Sequence, residues 1–269
     1  MNKFFLFCLC ILLLGCKRES DLPPLRPDEI SAAQREILGL RIQTKVKQNP
    51  DFPVRDIQSQ QDSILYAYIQ WQYDQASRDF HFNIQATPDQ QWNPSRVWQI
   101  FILELAEPLS LSLPGGDLYI SEGMLNLLVG ADQLYAMLCL EAARMHTRQN
   151  LYKLVEEVGT IAVLEVIERG IFPPEKSLME ILISSEFDPD LLVNIDIQAL
   201  AQICRSSIFN PAALAESENL LRESQANWIN RKSYSGRTQK IIEEIGGGLS
   251  GCGLRGDLGD YKKFVLDNL

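Results

Sequence analysis

Residues 109–150 read LSLSLPGGDLYISEGMLNLLVGADQLYAMLCLEAARMHTRQN, and this stretch decides the fold. Its opening has leucines at 109, 111 and 113, turns through Pro114-Gly115-Gly116 and resumes with Leu118 and Ile120. Apolar residues at a period of two on each side of a Pro-Gly-Gly turn are typical of β-strands. The sequence therefore predicts two short strands joined through the turn.

The rest of the stretch has a helical pattern. It predicts a short helix over 122–129, a break at 130–132 with Asp132 as the candidate N-cap, and a helix over 133–150 rich in Leu, Met and Ala. Residues 151–170 continue this spacing. A long helical region therefore follows directly on the two strands.

Helical spacing also precedes the stretch. It predicts helices over 32–48 and 62–77, where apolar residues recur along one stripe. The segment DFHFNIQAT at 79–87 instead alternates, with Phe80, Phe82 and Ile84 on one face. This alternation predicts a half-buried strand with His81 on its polar face.

Downstream, the spacing predicts a helix after a proline break within 171–190, a second over 191–206 and a third over 211–229 with Asn210 as N-cap. Residues 246–260 are too glycine-rich for regular structure. The sequence predicts a mainly α, α+β fold in one compact domain over 31–232. A C-terminal helix and a flexible glycine-rich tail over 233–269 follow that domain.

The order of features in 109–150 closely resembles the core of metallopeptidase family 48, the gluzincin group that includes the HtpX and CAAX-processing proteases. Gly123-Met124-Leu125 stands for that family's Gly-Leu-Leu, and Asp132-Gln133-Leu134 stands for its Asp-Glu-Leu. Phe209-Asn210-Pro211-Ala212 stands for its Tyr-Asp-Pro-Arg. The resemblance covers roughly residues 31–230 and implies a gluzincin-like metallopeptidase fold, with a small β-sheet beside the active-site helix.

In that family the helix carries HExxH, whose histidines bind zinc while the glutamate acts as general base. The resemblance places Leu140 and Arg144 at the histidine positions, Glu141 at the general base, Asn194 at the third ligand and Asp196 at a downstream aspartate. Leucine has no lone pair, arginine stays protonated and a neutral asparagine oxygen binds zinc poorly. The metal positions are therefore degenerate, and we expect neither a zinc cofactor nor zinc-dependent proteolysis.

Arg144 has two interpretations. Its guanidinium would replace the charge of the absent ion, pairing with Glu141 one turn away and with Asp196 across the helix pair. Alternatively, Arg144 is a solvent-exposed side chain without a structural role. The sequence does not separate the two.

The chain has two histidines, His81 and His146, and neither falls at a ligand position of the family. His146 and Cys139 lie seven residues apart and share one helix stripe. Such a stripe fits core packing, or a displaced metal site.

The N-terminus has the pattern of an export signal. An apolar run from Phe4 to Leu14 follows Lys3 and is too short to span a bilayer. Leu13-Leu14-Gly15-Cys16 resembles the lipobox of bacterial lipoproteins, which implies a signal peptide over 1–15 and acylation, as with palmitate, at Cys16. The charged, proline-rich residues 16–30 then form a tether. The resemblance favours the outer membrane, because Lys17-Arg18 offers no aspartate of the inner-membrane type.

The net charge and the cysteine content limit which binding partners and which cellular compartment fit the chain. The net charge of -10 argues against nucleic acid as a partner. Removing the signal and acylating Cys16 leaves Cys139, Cys204 and Cys252. Cys139 and Cys204 lie in apolar helical runs where buried, reduced cysteines are usual, so we expect no disulfide framework, although one disulfide is compatible with the periplasm.

Three functions fit these patterns. The first is a lipid-anchored pseudopeptidase in the periplasm-facing envelope that binds or chaperones envelope or outer-membrane proteins or peptides, with the strand after Pro114-Gly115-Gly116 capturing an extended segment by β-augmentation. The alternative is an active metalloendopeptidase with atypical ligands drawn from His146, His81, Glu141 or Cys139, or with no metal. The third is a purely structural lipoprotein.

Overall fold

The computed structural model describes residues 29–81, 98–174, 177–184, 189–206, 208–224, 237–246 and 260–269. Within these ranges the chain is mainly helical, with one small mixed sheet, as the α+β expectation requires. The predicted signal peptide, Cys16, Cys252 and most of the tether lie outside the described residues. None of the described helices is both long enough and apolar enough to cross a bilayer.

The elements follow one another in a simple order. They are α1 (Ala32–Val46), α2 (Gln60–His81), β1 (Ile100–Leu103), β2 (Ser110–Ser112), β3 (Leu118–Ser121), α3 (Glu122–Leu127), α4 (Ala131–His146), α5 (Gln149–Val158), α6 (Thr160–Arg169), α7 (Leu178–Ser184), α8 (Pro189–Ser206), α9 (Ala212–Glu223), α10 (Arg237–Gly246) and α11 (Asp260–Phe264), followed by a 3-10 turn at Leu266–Asn268.

The sheet has the strand order β1-β3-β2. The strands β2 and β3 pair antiparallel with Leu111 opposite Tyr119, so the predicted pair of strands is confirmed. The strand β1 pairs parallel to β3 with Ile100 opposite Leu118. The sequence did not predict β1, because a four-residue apolar run has no periodicity that separates a strand from a buried helix.

The helix α4 is the centre of the fold. It packs against α2, α8 and α9 and lies beside β2. Its buried residues run from Ala131 to Met145 almost without interruption, so the helix is enclosed on all sides. The predicted N-cap is wrong, because Gly130 holds that position without a side-chain bond and Asp132 lies buried in the first turn.

The long helix predicted over 133–150 is interrupted. The helix α4 ends at His146, and Arg148 takes a left-handed conformation with φ 58° before α5 begins. The hydroxyl of Thr147, the C-cap residue, donates to the carbonyl of Ala143 at 2.9 Å. A second break falls at Gly159, whose φ of 83° suits a residue without a Cβ. Neither break changes the spacing of the apolar residues, so the sequence pattern predicted neither of them.

The predicted strand over 79–87 is wrong for residues 79–81, which are the last residues of α2. His81 therefore ends a helix and does not lie on a strand face. Phe80 and Ile84 are also spaced as helical neighbours at i and i+4, so a short apolar pattern of this kind fits both structures. The remainder of that segment lies outside the described residues.

The helix α1 packs directly on the Pro-Gly-Gly turn. A Cβ added at Gly39 would lie 2.3 Å from the carbonyl oxygen of Pro114, and one at Gly115 would lie 3.1 Å from the carbonyl oxygen of Arg35. Glycines on both surfaces permit this approach. Ser31 caps α1 through a capping box with Gln34.

The ends of the described chain pack onto the core. Ile30, predicted as the last residue of the tether, is buried, and its carbonyl accepts a bond from Arg35 Nη1. Tyr261 is buried and donates its hydroxyl to the carbonyl of Leu125 at 2.5 Å. The expectation of a flexible tail is therefore wrong for residues 260–269, where Tyr261 and Val265 supply apolar area that the glycine-rich part lacks.

Cys204 of α8 forms a disulfide, which corrects the expectation that it is reduced. Apolar neighbours predicted burial but carry no information about whether a cysteine is paired in a disulfide. Cys139 is fully buried in α4, as expected.

Candidate functional site

The site is built around the carboxylate of Glu141, which is fully buried between α4 and β2. Its Oε1 accepts a bond from the Ser110 hydroxyl at 2.8 Å. Its Oε2 accepts from the backbone N–H of Ser112 at 3.0 Å and from the Ser112 hydroxyl at 3.1 Å. A buried carboxylate is stabilised only when donors surround it, and β2 supplies three.

Arg144 provides the counter-charge. Its Nη1 donates to Glu141 Oε1 from one turn further along α4. The side chain is 2% exposed, so the solvent-exposed interpretation of Arg144 does not hold. The Nε of Arg144 is buried and has no hydrogen-bond partner among the described residues.

Asn150 extends the network from the first turn of α5. Its Nδ2 donates to the carbonyl of Ser112 and, at 3.3 Å, to the Ser112 hydroxyl. Within the part of the chain that the structure describes, the Oδ1 of Asn150 has no hydrogen-bond partner. Glu141, Arg144 and Asn150 thus join α4, α5 and β2 through one buried polar cluster, which we call the Glu141 network together with Ser110 and Ser112.

Asp196 is not part of this network, although the sequence suggested it. The Nε and Nη2 atoms of Arg237 both donate to the Asp196 carboxylate, and Arg237 Nη2 lies 3.0 Å from Glu218 Oε1. All three side chains are buried. A second buried cluster therefore joins α8, α9 and α10.

The donor chemistry at the metal positions does not fit zinc. Leu140 is buried and has no ligand atom, and Arg144 holds a cation where the family holds a histidine. Asn194, the third expected position, is exposed on α8, whereas Glu141 is fully buried. Both carboxylate oxygens of Glu141 are bonded to β2 and Arg144, so neither faces a position that a metal-bound water would occupy.

The remaining candidate ligands are dispersed. In the described ranges no group of three or more His, Cys, Asp or Glu side chains is placed to hold a metal ion. His146 lies half-buried near Arg148 and Arg35, and burial together with these two charges lowers its pKa below 6.5. The surroundings of His146 are therefore cationic, which opposes metal binding.

The edges of the sheet are closed. The strand β3, expected to capture an extended peptide, is central and is paired on both sides. On the outer side of β2, the N–H and the carbonyl of Ser112 bond to Glu141 and Asn150. Beyond β1, Arg55 N–H donates to the Ile102 carbonyl and Val54 bridges to Leu103. The β-augmentation hypothesis is therefore wrong for this sheet.

A separate cavity of about 570 Å³ lies between the end of α1 and the start of α7. Phe52, Phe172 and Met179 are among its lining residues, and Lys45 Nζ lies 5.3 Å from the centre of the Phe172 ring. It shares no lining residue with the Glu141 network.

Sequence reasoning missed five polar residues of these clusters: Ser110, Ser112, Asn150, Glu218 and Arg237. The two serines alternate with leucines on a strand that is buried on both faces, where polar residues require partners. That alternation was a usable signal for Ser110 and Ser112. Asn150 and Arg237 carried no such signal, because their partners come from other elements.

Neither the protein-family models nor the curated proteins contain a match to this sequence. The resemblance to metallopeptidase family 48 stays a prediction from motif order.

Proposed function

We propose that the chain is a lipid-anchored envelope protein with a gluzincin-like scaffold, which acts without catalysis as a binding or chaperone-like module for envelope or outer-membrane proteins. The observation that carries the proposal is the state of Glu141, whose carboxylate bonds to β2 and Arg144. A residue at a general-base position has here become a structural acceptor.

The chemistry of a general base explains why this matters. Such a carboxylate needs a free lone pair facing a water molecule and a proton affinity suited to its task. Glu141 is fully buried, and its two carboxylate oxygens accept four hydrogen bonds, one of them from the Arg144 guanidinium. These bonds occupy the lone pairs that a general base would present to a water molecule. The network therefore supports a pseudopeptidase over a working hydrolase.

Two features support a location in the periplasm-facing envelope. Disulfides persist in oxidising environments such as the periplasm, and Cys204 is disulfide-bonded. The lipobox-like Leu13-Leu14-Gly15-Cys16 supplies an acylation site, and acyl chains anchor a protein independently of its acidic charge.

The binding function is tested with the full chain and a urea-unfolded outer-membrane protein. On dilution from urea, light scattering should rise more slowly when the chain is present in equimolar amount. An equal mass of serum albumin is the control for crowding. Unchanged aggregation, together with no complex detected by cross-linking, would refute the binding proposal.

The substitution Glu141→Gln distinguishes the proposed pseudopeptidase from the alternative, an active metalloendopeptidase. For a pseudopeptidase, the substitution lowers the free energy of unfolding, by about 3 kcal/mol, because Arg144 loses its buried counter-charge. It leaves client binding per folded molecule unchanged. Stoichiometric zinc after purification without chelator, with chelator-sensitive casein cleavage that Glu141→Gln abolishes, would establish the alternative instead.

A further inference from the structure

Residues 260–269 read DYKKFVLDNL and have the pattern of a short amphipathic helix. Tyr261, Phe264 and Val265 lie at i, i+3 and i+4, so their side chains share one helix face. The structure forms α11 and a 3-10 turn here, and Tyr261 and Val265 are buried against the core. Lys262 and Lys263, between these apolar residues, are exposed. We call residues 260–269 the strap.

The strap makes its backbone hydrogen bonds within itself. Three of its N–H groups, those of Val265, Asn268 and Leu269, donate to carbonyls of the same segment. None of the described strands pairs with it. The strap therefore contacts the rest of the protein as a peptide helix contacts a groove, through apolar side chains and a few anchoring bonds.

The surface that receives the strap is formed by α2 and α3. The hydroxyl of Tyr261 donates to the carbonyl of Leu125 in α3 at 2.5 Å. The Phe264 ring stacks on Tyr68 of α2, with 5.0 Å between the ring centroids. The ring of Trp71 lies 6.2 Å from that of Tyr68, and Trp71 is 46% exposed. The aromatic surface therefore continues beyond the strap, where a longer helix would cover Trp71.

Arg55 holds the end of the strap. Its guanidinium donates to the carbonyls of Asn268 and Leu269 at 3.1 and 3.0 Å. The same guanidinium pairs with Asp62 at 2.9 Å and with Glu122 at 2.8 Å. Because these two carboxylates lie outside the strap, departure of the strap would leave no uncompensated charge. The receiving surface is therefore complete without the strap.

We propose that the groove between Arg55, Tyr68 and Leu125 is a docking site for short amphipathic helices of client proteins, and that the strap is its built-in occupant. The matching client helix has aromatic residues at i and i+3 and a β-branched residue at i+4, as the strap has. A client binds by replacing the strap, so the strap is autoinhibitory. This inference rests on the proposed binding function, to which it assigns a surface and a class of client segment.

The test is fluorescence anisotropy of a labelled peptide of residues 260–269 added to the full chain. In the wild-type chain the strap competes with the peptide for the groove. Tyr261→Ala removes the buried ring and its hydrogen bond from the strap, so this variant should bind the peptide at least about tenfold more tightly. Tyr261→Phe removes only the hydroxyl and should give a smaller gain. Lys262→Ala, at an exposed strap residue, should bind the peptide as the wild type does.

Hydrogen exchange followed by mass spectrometry distinguishes release of the strap from unfolding. The amides of the strap should exchange faster in Tyr261→Phe than in the wild type, whereas those of α4 should keep their protection. If Tyr261→Ala also exposed α4, the comparison of peptide affinities would use Tyr261→Phe, which keeps the aromatic ring.

The client is an outer-membrane protein diluted from urea. It should displace the labelled peptide from Tyr261→Ala, and it should aggregate more slowly with this variant than with an equal concentration of the wild-type chain. Lys262→Ala should slow aggregation no more than the wild type does.

Three results would overturn the proposal: no saturable binding of the peptide to either Tyr261 variant, equal peptide affinity in the wild type and both variants, or a bound peptide that the client does not displace. A chain that slows client aggregation while the peptide stays bound would refute this groove alone. The proposed function would then stand.

Discussion

At the scale of single residues, Arg144 is the buried counter-charge of Glu141. Its charge lies beside a carboxylate that no solvent reaches. Breaking a buried pair by removing one partner leaves the other charge uncompensated, and this costs far more than the pair contributes to stability. Arg144 and Glu141 therefore depend on each other.

We expect Arg144→Ala to lower the free energy of unfolding by about 3–5 kcal/mol in urea denaturation. Arg169→Ala, at an exposed arginine, should change it by less than about 0.5 kcal/mol. A similarly small effect of Arg144→Ala would contradict a structural ion pair.

His146 sets a pH dependence at the same scale. Burial, Arg148 and Arg35 lower its pKa in the folded state below 6.5, so the unfolded chain binds the proton more readily. The contribution of neutral His146 to the free energy of unfolding is therefore fully present above about pH 6.5. It decreases as the pH falls from there toward the lowered pKa of the folded state. Urea titrations between pH 7.5 and pH 5 should show this loss, and His146→Gln should reduce it. An unchanged slope in that variant would exclude His146 as the cause.

At the scale of elements, α1 and the Pro-Gly-Gly turn pack so closely that a Cβ added at Gly39 would collide with the turn. Helix propensity alone would make Gly39→Ala stabilising by up to about 1 kcal/mol. The added Cβ would instead meet the backbone of Pro114 at 2.3 Å, so we expect destabilisation of about 1–3 kcal/mol and a lower Tm.

Thr44→Ala is the matched control in the same helix, because Thr44 is exposed. It should change stability by less than about 0.5 kcal/mol. If Gly39→Ala were as stable as Thr44→Ala, the close approach of α1 to the turn would be wrong.

At the scale of the whole molecule, long-range links hold the later helices in place. Arg237 joins α10 to α8 and α9, and Cys204 of α8 is disulfide-bonded. Disulfides stabilise a fold mainly by restricting its unfolded state, typically by about 2–4 kcal/mol.

Reduction should therefore lower the Tm of the full chain, as followed by circular dichroism with and without reductant. Cys204→Ser should show the lower Tm under both conditions and no response to reductant. If the Tm of the native chain did not change in reductant although the number of free thiols rose, this disulfide would not stabilise the fold.

The sequence predicted those elements that depend on the pattern of neighbouring residues. The strands on each side of Pro114-Gly115-Gly116 and the helix carrying Glu141 follow from periodicity and turn chemistry. It missed β1, whose four apolar residues carry no period, and the break at Arg148, which leaves the apolar pattern intact. It named Glu141 and Arg144 through the resemblance to a metallopeptidase motif, and it left open whether Arg144 pairs with Glu141 or is exposed.

Local sequence accounts for a mainly helical α+β chain with a hairpin and a helix that carries Glu141, because these features depend on neighbours within a few residues. Tertiary packing accounts for the pairing of Arg144 with Glu141, for the enclosure of Glu141 by Ser110 and Ser112, for the pairing of Asp196 with Arg237, and for the closed sheet edges of the described residues. The partners of buried charges come from distant segments, and their choice follows from packing, which local sequence does not encode.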